Sequence, residues 1–378
     1  MRKNNIENTE INNDFHINYL STKNFMSLKN DKVIFSKGIN LVIGENGSGK
    51  TQILKLLYGI IDANNEIELE KEKSIKGKQR ILANSLRDVF KPEKLGNLVR
   101  KKETEAEVCI DFNSYKTSFK FGSKSEKAVS QTTPFTKKFI EKASVFIPAK
   151  EVLSFFPGFR TLYEKKYLEF DKCYYNLCRS LEEPLSKSID NGDSKIVQSL
   201  ETILEGKVEI INGKFYLIKD DNTRYEIHLV AEGLRKISLL SYLLRNETLS
   251  KNGILFWDEP ESNINPKLVR EIVRFLVALS NNGMQIFLAT HSPYVIESLN
   301  NHLKKYKIRD LKTDNKEISN IEPLNPQNTT AYLLKDGSCE SILNVELGLL
   351  DDNLLHSFND INILYDKMKD IEWEEQND

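Results

Sequence analysis

Apolar and polar positions change rhythm several times along the chain, and the changes mark out its elements. Ile39 to Ile43 (INLVI) is a continuous apolar run, the pattern of a buried strand, and Gln52 to Tyr58 (QILKLLY) follows with helical spacing. Ahead of them, Tyr19 to Met26 and Val33 to Phe35 are short strand candidates. Leu82 to Lys102 carries a mixed helical pattern after a lysine-rich stretch. Glu105 to Phe112 and Ser114 to Phe121 alternate around Asn113, which predicts paired strands. The Ser/Thr/Lys-rich run Gly122 to Lys138 reads as a mobile loop.

Ala143 to Ile147 reads as another buried strand, closed by Pro148. Leu153 to Leu204 is mostly helical in pattern, with Asn191-Gly192-Asp193 as the expected break. Val208 to Ile211 and Lys214 to Ile218 flank Asn212-Gly213, the strongest two-residue hairpin signal in the chain. A third strand, Arg224 to Leu229, leads through Ala231-Glu232-Gly233 to a helix, Leu234 to Arg245. Strand Ile254 to Trp257, helix Pro266 to Leu279 and strand Gln285 to Ala289 then form a βαβ unit of a parallel sheet. Beyond it come a strand at Thr330 to Leu334, a turn at Asp336-Gly337, and helical segments out to an acidic tail, Glu372 to Asp378. No run of several heptads predicts a coiled-coil arm.

The chemistry sits between these elements. Gly44-Glu45-Asn46-Gly47-Ser48-Gly49-Lys50-Thr51 fits the phosphate-loop pattern G-x-x-x-x-G-K-[ST], with a strand before it and a helix, opening at Gln52, after it. The glycines let successive N–H groups and the helix N-terminus face the β- and γ-phosphates of a nucleotide. Lys50 adds a point charge, and Thr51 a hydroxyl for Mg²⁺. Strand Ile254 to Trp257 runs into Asp258-Glu259, two carboxylates at the carboxyl edge of a parallel sheet, where such sheets bind ligands. Asp258 is expected to hold Mg²⁺, while Glu259 faces the γ-phosphate and polarises the attacking water. His291 ends the neighbouring strand and can hydrogen-bond the γ-phosphate.

Composition narrows the picture. The chain has 378 residues, 39% of them apolar, enough for one large core or two ordinary ones. Lys and Arg total 54 against 55 Asp and Glu, so no global field advertises a polyanionic partner, and nucleic-acid binding stays open. Met1 to Asp14 lacks the apolar core of a signal peptide, and no later run is long enough to span a bilayer, so a cytoplasmic protein without a membrane partner is expected. Cys109, Cys173, Cys178 and Cys339 lack the paired spacing of a zinc site and read as ordinary thiols.

In order and wording these motifs resemble the ABC-type ATPases of the SMC and RecF group, and most closely the compact bacterial AAA family ATPases of the OLD-like kind. The resemblance rests on Lys23-Asn24-Phe25, Phe35-Ser36-Lys37-Gly38-Ile39-Asn40 and GENGSGKT, then Asp258-Glu259-Pro260-Glu261 as Walker B, Ser262-Asn263-Ile264-Asn265-Pro266 as D-loop and His291 as switch histidine. It implies an α/β P-loop NTPase of ABC-ATPase type: a mixed sheet core, an antiparallel β subdomain and an inserted helical lobe. The corresponding division is an N-terminal ATPase part with a β-rich insertion over 15–150, a helical lobe over 151–205, a C-terminal ATPase part over 206–310, and a C-terminal α/β extension over 311–378.

The resemblance also implies ATP and Mg²⁺ as cofactors and a homodimer, or higher oligomer, with ATP at its interface. In such a pair each nucleotide touches one copy's phosphate loop and the other's signature helix. Two places depart from the group's pattern. The signature serine is absent from Ala231-Glu232-Gly233-Leu234-Arg235-Lys236, so the contact in trans falls to Glu232, Gly233 and the helix N-terminus, with Arg235 or Lys236 as further candidates. No clear Q-loop glutamine lies between the Walker motifs, and Lys150 or Glu151 is the substitute.

About ninety residues follow His291, short for an added nuclease domain of ordinary size, and His16, His228, His302 and His356 are too scattered for an HNH site. Proteins resembling this one often sit in bacterial anti-phage systems, Septu-like or retron-associated among them. The expected function is therefore an ATP-hydrolysing switch of phage defence acting with a separately encoded nuclease or toxin. A RecF-like DNA repair accessory and a nucleotide-dependent scaffold with little turnover are the alternatives.

Overall fold

The computed structural model describes residues 15–113, 115–133, 144–311 and 315–350. In chain order the elements are β1 (Ile17–Lys23), β2 (Asp31–Ile34), β3 (Ile39–Ile43), α1 (Lys50–Leu69), α2 (Ile75–Phe90), β4 (Glu105–Phe112), β5 (Tyr115–Gly122), β6 (Ser130–Thr133) and β7 (Ser144–Ile147). Then come α3 (Phe159–Glu164), α4 (Lys172–Leu181), α5 (Asn191–Leu204), β8 (Gly206–Ile211), β9 (Lys214–Lys219), β10 (Arg224–Glu226), α6 (Glu232–Arg245), β11 (Ile254–Asp258), α7 (Pro266–Asn281), β12 (Gln285–Thr290), α8 (Pro293–Lys307), α9 (Lys316–Ser319), β13 (Thr329–Lys335) and β14 (Ser338–Ser341).

A six-stranded mixed sheet, ordered β14-β13-β3-β12-β11-β7, forms the middle layer. Its β13, β3, β12, β11 and β7 run parallel, and β14 closes one edge antiparallel. Because side chains alternate across a strand, each central strand feeds two cores. Leu41, Leu255, Trp257, Ile286 and Leu288 face one layer with α5, α6, α7 and α8. Val42, Phe256, Phe287 and Ala289 face the other, with α1, α2 and a five-stranded antiparallel sheet ordered β2-β1-β4-β5-β6. Phe146, Phe256 and Phe287 occupy matching registers on β7, β11 and β12 and stack as a ladder, with the Phe256 and Phe287 rings 5.0 Å apart. Such aromatic pairs add to area burial and fix register.

The segment after residue 310, expected as an extension, supplies β13 to the central sheet, where Tyr332 and Leu333 pair with Val42 and Ile43. The helices between 151 and 205 pack on the first core through Leu177, Leu181, Ile196 and Leu200. A three-stranded sheet, β10-β9-β8, includes the Asn212-Gly213 hairpin. Both turn residues have positive φ, 51° and 75°, as a type I′ turn demands.

Several local expectations need correction. Asn191-Gly192-Asp193 is the first turn of α5 and no break, because Asp190 caps the helix by accepting the Gly192 N–H at 2.8 Å. The helical pattern of 82–102 begins earlier and stops earlier, as α2, with Ser74 as its N-cap. Of the expected loop 122–138, Ser130–Thr133 is β6, paired with β5, and residues from 134 lie outside the described segments. The third strand of the small sheet ends at Glu226, where a 3₁₀ turn begins. The expected tail at Glu372 to Asp378, the helical segments after 350 and residues 1–14 also lie outside the described residues. Among the described residues no helix is long and apolar enough to cross a membrane.

Candidate functional site

The loop after β3 is bent to a degree that only its glycines allow. Gly49 has φ +114°, and a Cβ there would stand 2.2 Å from Ser27 Oγ, so any side chain would collide with the segment behind the loop. α1 starts at Lys50 with no side-chain cap, which leaves its first N–H groups free for an anion. Lys50 is buried, and its Nζ donates to the loop's own carbonyls, Gly44 O at 2.8 Å and Glu45 O at 2.9 Å. Burial lowers its pKa, and Glu259 and Asp258 partly offset this. Ser48 Oγ is buried in the same loop without a hydrogen-bond partner. An orphaned hydroxyl, a turned-back ammonium and open helix N–H groups fit a polyphosphate.

Asp258, the last residue of β11, reaches across 207 positions of sequence to this loop. Thr51 Oγ1 donates to its carboxylate, at 2.9 and 3.0 Å from the two oxygens. Burial pushes the Asp258 pKa up to about 6, against the lowering hydrogen bond from Thr51. A hydroxyl beside a desolvated carboxylate is the donor set that a hard divalent cation takes.

Glu259 follows in a left-handed conformation, φ 48°, with its N–H bonded to Ala289 O of β12 at 2.9 Å and its Oε2 accepting from Ser262 Oγ at 3.0 Å. His291, half exposed after β12, places Nδ1 3.5 Å from Glu259 Oε1 and 3.7 Å from Glu261 Oε1. Glu261 received no role from the sequence, yet it anchors this edge. It is buried, and its Oε1 accepts from Thr290 Oγ1 at 2.6 Å and from the His291 N–H at 3.1 Å. Its place as the third acid of Asp258-Glu259-Pro260-Glu261 was its only sequence signal.

Other candidates sit differently. Gln52 Oε1 accepts from Ser27 N–H at 3.1 Å and Ser27 Oγ at 2.8 Å, so it braces the wall of the loop. Glu232 Oε1 accepts from Asn263 Nδ2 at 3.2 Å, and Gly233 is buried against Ile264 and Leu268. Arg235 and Lys236, candidates for a contact with a second copy, both turn inward. Arg235 Nε bonds Glu151 Oε2 at 2.8 Å, and Lys236 Nζ bonds Ser262 O at 2.7 Å. Glu151, a candidate for the Q-loop position, bonds Arg235 and the N–H groups of Leu153 and Ser154. Lys150 is exposed.

A cleft of about 1420 Å³ opens beside the loop, between Gly44–Ser48, Ser27, Arg100, His291 and the β13–β14 turn. Its far wall was not legible beforehand. Arg100 Nη1 bonds Ser27 O at 2.5 Å, and Lys29 N–H bonds Gly337 O at 2.8 Å, which locks the turn onto the segment behind the phosphate loop.

Phosphate loop, carboxylates at the end of a parallel strand and a histidine on the next strand lie together within this mixed sheet, a P-loop NTPase fold of ABC-ATPase type. Comparison with known proteins places it more closely. The chain belongs to the family described as "AAA domain, putative AbiEii toxin, Type IV TA system", which matches residues 39–297. It is 29% identical over 138 residues to the Old nuclease of Escherichia phage P2, an alignment spanning 32% of this chain and 23% of that protein. Its fold is that of an SMC head solved bound to the C-winged helix domain of ScpA, with TM-score 0.50 and 16% identity over 86% of this chain and 97% of that one. A RecF–ATP structure aligns over 87% of this chain and 99% of its own, with TM-score 0.44 and 16% identity.

Proposed function

We propose that this chain binds and hydrolyses ATP as a dimeric switch, and that it is the ATPase of an anti-phage defence system working with a separately encoded effector. The observation that carries the first part is the Thr51–Asp258 contact at 2.9 Å, which joins the phosphate loop to the acidic strand end. In this reading residues Gly44 to Thr51 cradle the phosphates, with Lys50 turned from its loop carbonyls onto them. Thr51 and Asp258 hold Mg²⁺, which when bound neutralises phosphate charge. Glu259 orients and polarises the attacking water, and His291 contacts the γ-phosphate. Gln52 holds the loop through Ser27, while Glu232 and the main-chain N–H groups at Gly233, where α6 begins, meet the nucleotide of a second copy. The division at 150, 205 and 310 belongs to the same proposal.

The second part draws support from the family description, which names a toxin and a type IV TA system, and from a relative found in a phage. It is tested by challenging cells that carry the native locus with phages. Protection that survives Lys50→Ala counts against it.

Phosphate release by the native chain and Glu259→Gln tests the ATPase. General-base loss predicts a fall of about 100-fold or more with ATP binding retained. No Mg²⁺-dependent ATP binding overturns the whole reading, and equal turnover in the two proteins favours a scaffold. One observation favours a nucleic-acid partner as a second reading: the approach to α2 and its first turns carry Lys71, Lys73, Lys76, Lys78 and Arg80 against Glu72 alone, in a chain of net charge −1. Salt-dependent retention on duplex DNA checks it.

A further inference from the structure

The side of α6 that faces the acidic strand end is built around one cation. On α6, Lys236 stands four residues after Glu232 and three after Gly233, so it neighbours both on the helix surface. That face lies against the turn running from β11 into α7. Glu232 holds Asn263, and Gly233 leaves so little room that a Cβ would stand 2.5 Å from Leu268 Cδ2 and 2.9 Å from Ile264 Cγ2. One turn on, Lys236 is 2% exposed and its Nζ donates to three main-chain oxygens, Ser262 O at 2.7 Å, Pro260 O at 3.3 Å and Glu259 O at 3.4 Å.

One short bond and two longer ones tie this ammonium to backbone oxygens of a single turn. A buried cation is costly, and a methionine of similar length would fill the space without that cost. What only the cation does is gather the oxygens of a turn that would otherwise relax. The turn is strained at its start, since Glu259 has φ of 48°, a region such side chains seldom adopt, while Asn263 at its end, φ 58°, is a residue type that tolerates it. Its far side is pinned separately, by the Glu259 N–H to Ala289 O and by Ser262 Oγ to the Glu259 carboxylate.

We propose that Lys236 is a positioning residue for Glu259: its ammonium clamps the 259–262 turn and so fixes where the carboxylate meets the attacking water. Because the clamp is mounted on α6, displacement of that helix is passed to the carboxylate through one side chain. The proposal rests on the reading of Glu259 given above.

The test compares native, Lys236→Met, Glu259→Gln and the double variant, each full length, for turnover at saturating Mg²⁺–ATP and for affinity of a fluorescent ATP analogue. Misplacement of Glu259 predicts about a 100-fold lower kcat for Lys236→Met, with analogue affinity and thermal midpoint close to native. Since both changes act through one carboxylate, the double variant turns over no slower than Glu259→Gln alone. Native turnover in Lys236→Met, joint loss of affinity and turnover, or losses that multiply in the double variant overturn the proposal. Native turnover in Glu259→Gln is a separate result that removes the reading beneath it. If Lys236→Met does not fold, Lys236→Arg and Lys236→Gln decide. The cationic replacement retains the larger share of kcat if the clamp is electrostatic, and the opposite order overturns the idea.

Discussion

Asp258 is held in a state that suits a cation and burdens the chain without one. Its pKa is about 6, against 3.8 for a free side chain, so between those values the folded protein binds more protons than the unfolded chain. The sign follows: its contribution is fully favourable below about pH 3.8, declines as pH rises, and is lost above about 6. Asp258→Asn keeps an acceptor for Thr51 and removes the charge. In metal-free buffer it is expected to raise the urea midpoint at pH 8, with the gain shrinking steadily from pH 6 towards pH 4. A gain that is flat with pH contradicts the assignment. Such stabilisation by loss of a functional group is the usual trade at sites kept ready for a ligand.

Residue identities here were legible where a local backbone demands them. Gly49, Lys50 and Thr51 are fixed by the bend of one loop, and Asp258 and Glu259 by the end of one apolar strand. Ser27 and Glu261 were not, and Lys236 stood only as a candidate contact for a second copy, because their partners lie far away in sequence. Ser27 braces Gln52, Glu261 ties down Thr290, and Lys236 reaches the turn after β11. A lysine near the start of a helix reads as solvent-facing until the fold brings carbonyls to it.

Elements followed the hydrophobic rhythm where both faces were buried, as in β3, β11 and β12, and departed where capping or pairing decided. Asp190 turned an apparent Asn-Gly break into the start of α5, and β6 formed from a polar run because β5 offered an open edge. At this scale the close fit of α6 on the Ile264–Leu268 segment makes a prediction. Gly233→Ala adds a methyl where no space exists, so it should destabilise by about 1–3 kcal/mol despite its better helix propensity, as read by urea unfolding. Leu268→Ala in the same chain should recover part of that loss.

A second element contact joins the phosphate-loop helix to the 151–205 region. Lys55 pairs with Asp171 at 2.7 Å, and Lys172 with Asp62 at 2.9 Å and Glu66 at 3.2 Å, all between α1 and the start of α4. Asn176 adds bonds to Tyr58 and Asp62. Lys172→Met removes the counter-charge of Asp62 and Glu66, both partly buried, although Asp62 keeps hydrogen bonds from Ser85 and Asn176. A loss of about 1–3 kcal/mol is expected, measured by urea unfolding. Retention of native stability would show that water satisfies the pair.

For the whole molecule, the ATP-bound pair is the main consequence of the proposed mechanism. Glu259→Gln, which keeps the binding groups but slows turnover, should run by light scattering as a 43.6 kDa particle without nucleotide and at twice that mass with Mg²⁺–ATP. Adding Lys50→Ala should return it to the smaller mass. A single mass under all conditions argues against closure of two copies on ATP.

The position of β3 has a further consequence, for synthesis. The strand that enters the phosphate loop is made well before its two neighbours, β12 and β13, which follow some 250 and 290 residues later. Until residue 335 has left the ribosome, an apolar five-residue strand has no permanent partner on one side, and chain growth at ordinary rates leaves it so for many seconds. A message cut short anywhere before β13 would therefore yield a product with a bare edge, prone to cluster with its own kind and dependent on chaperones for its removal.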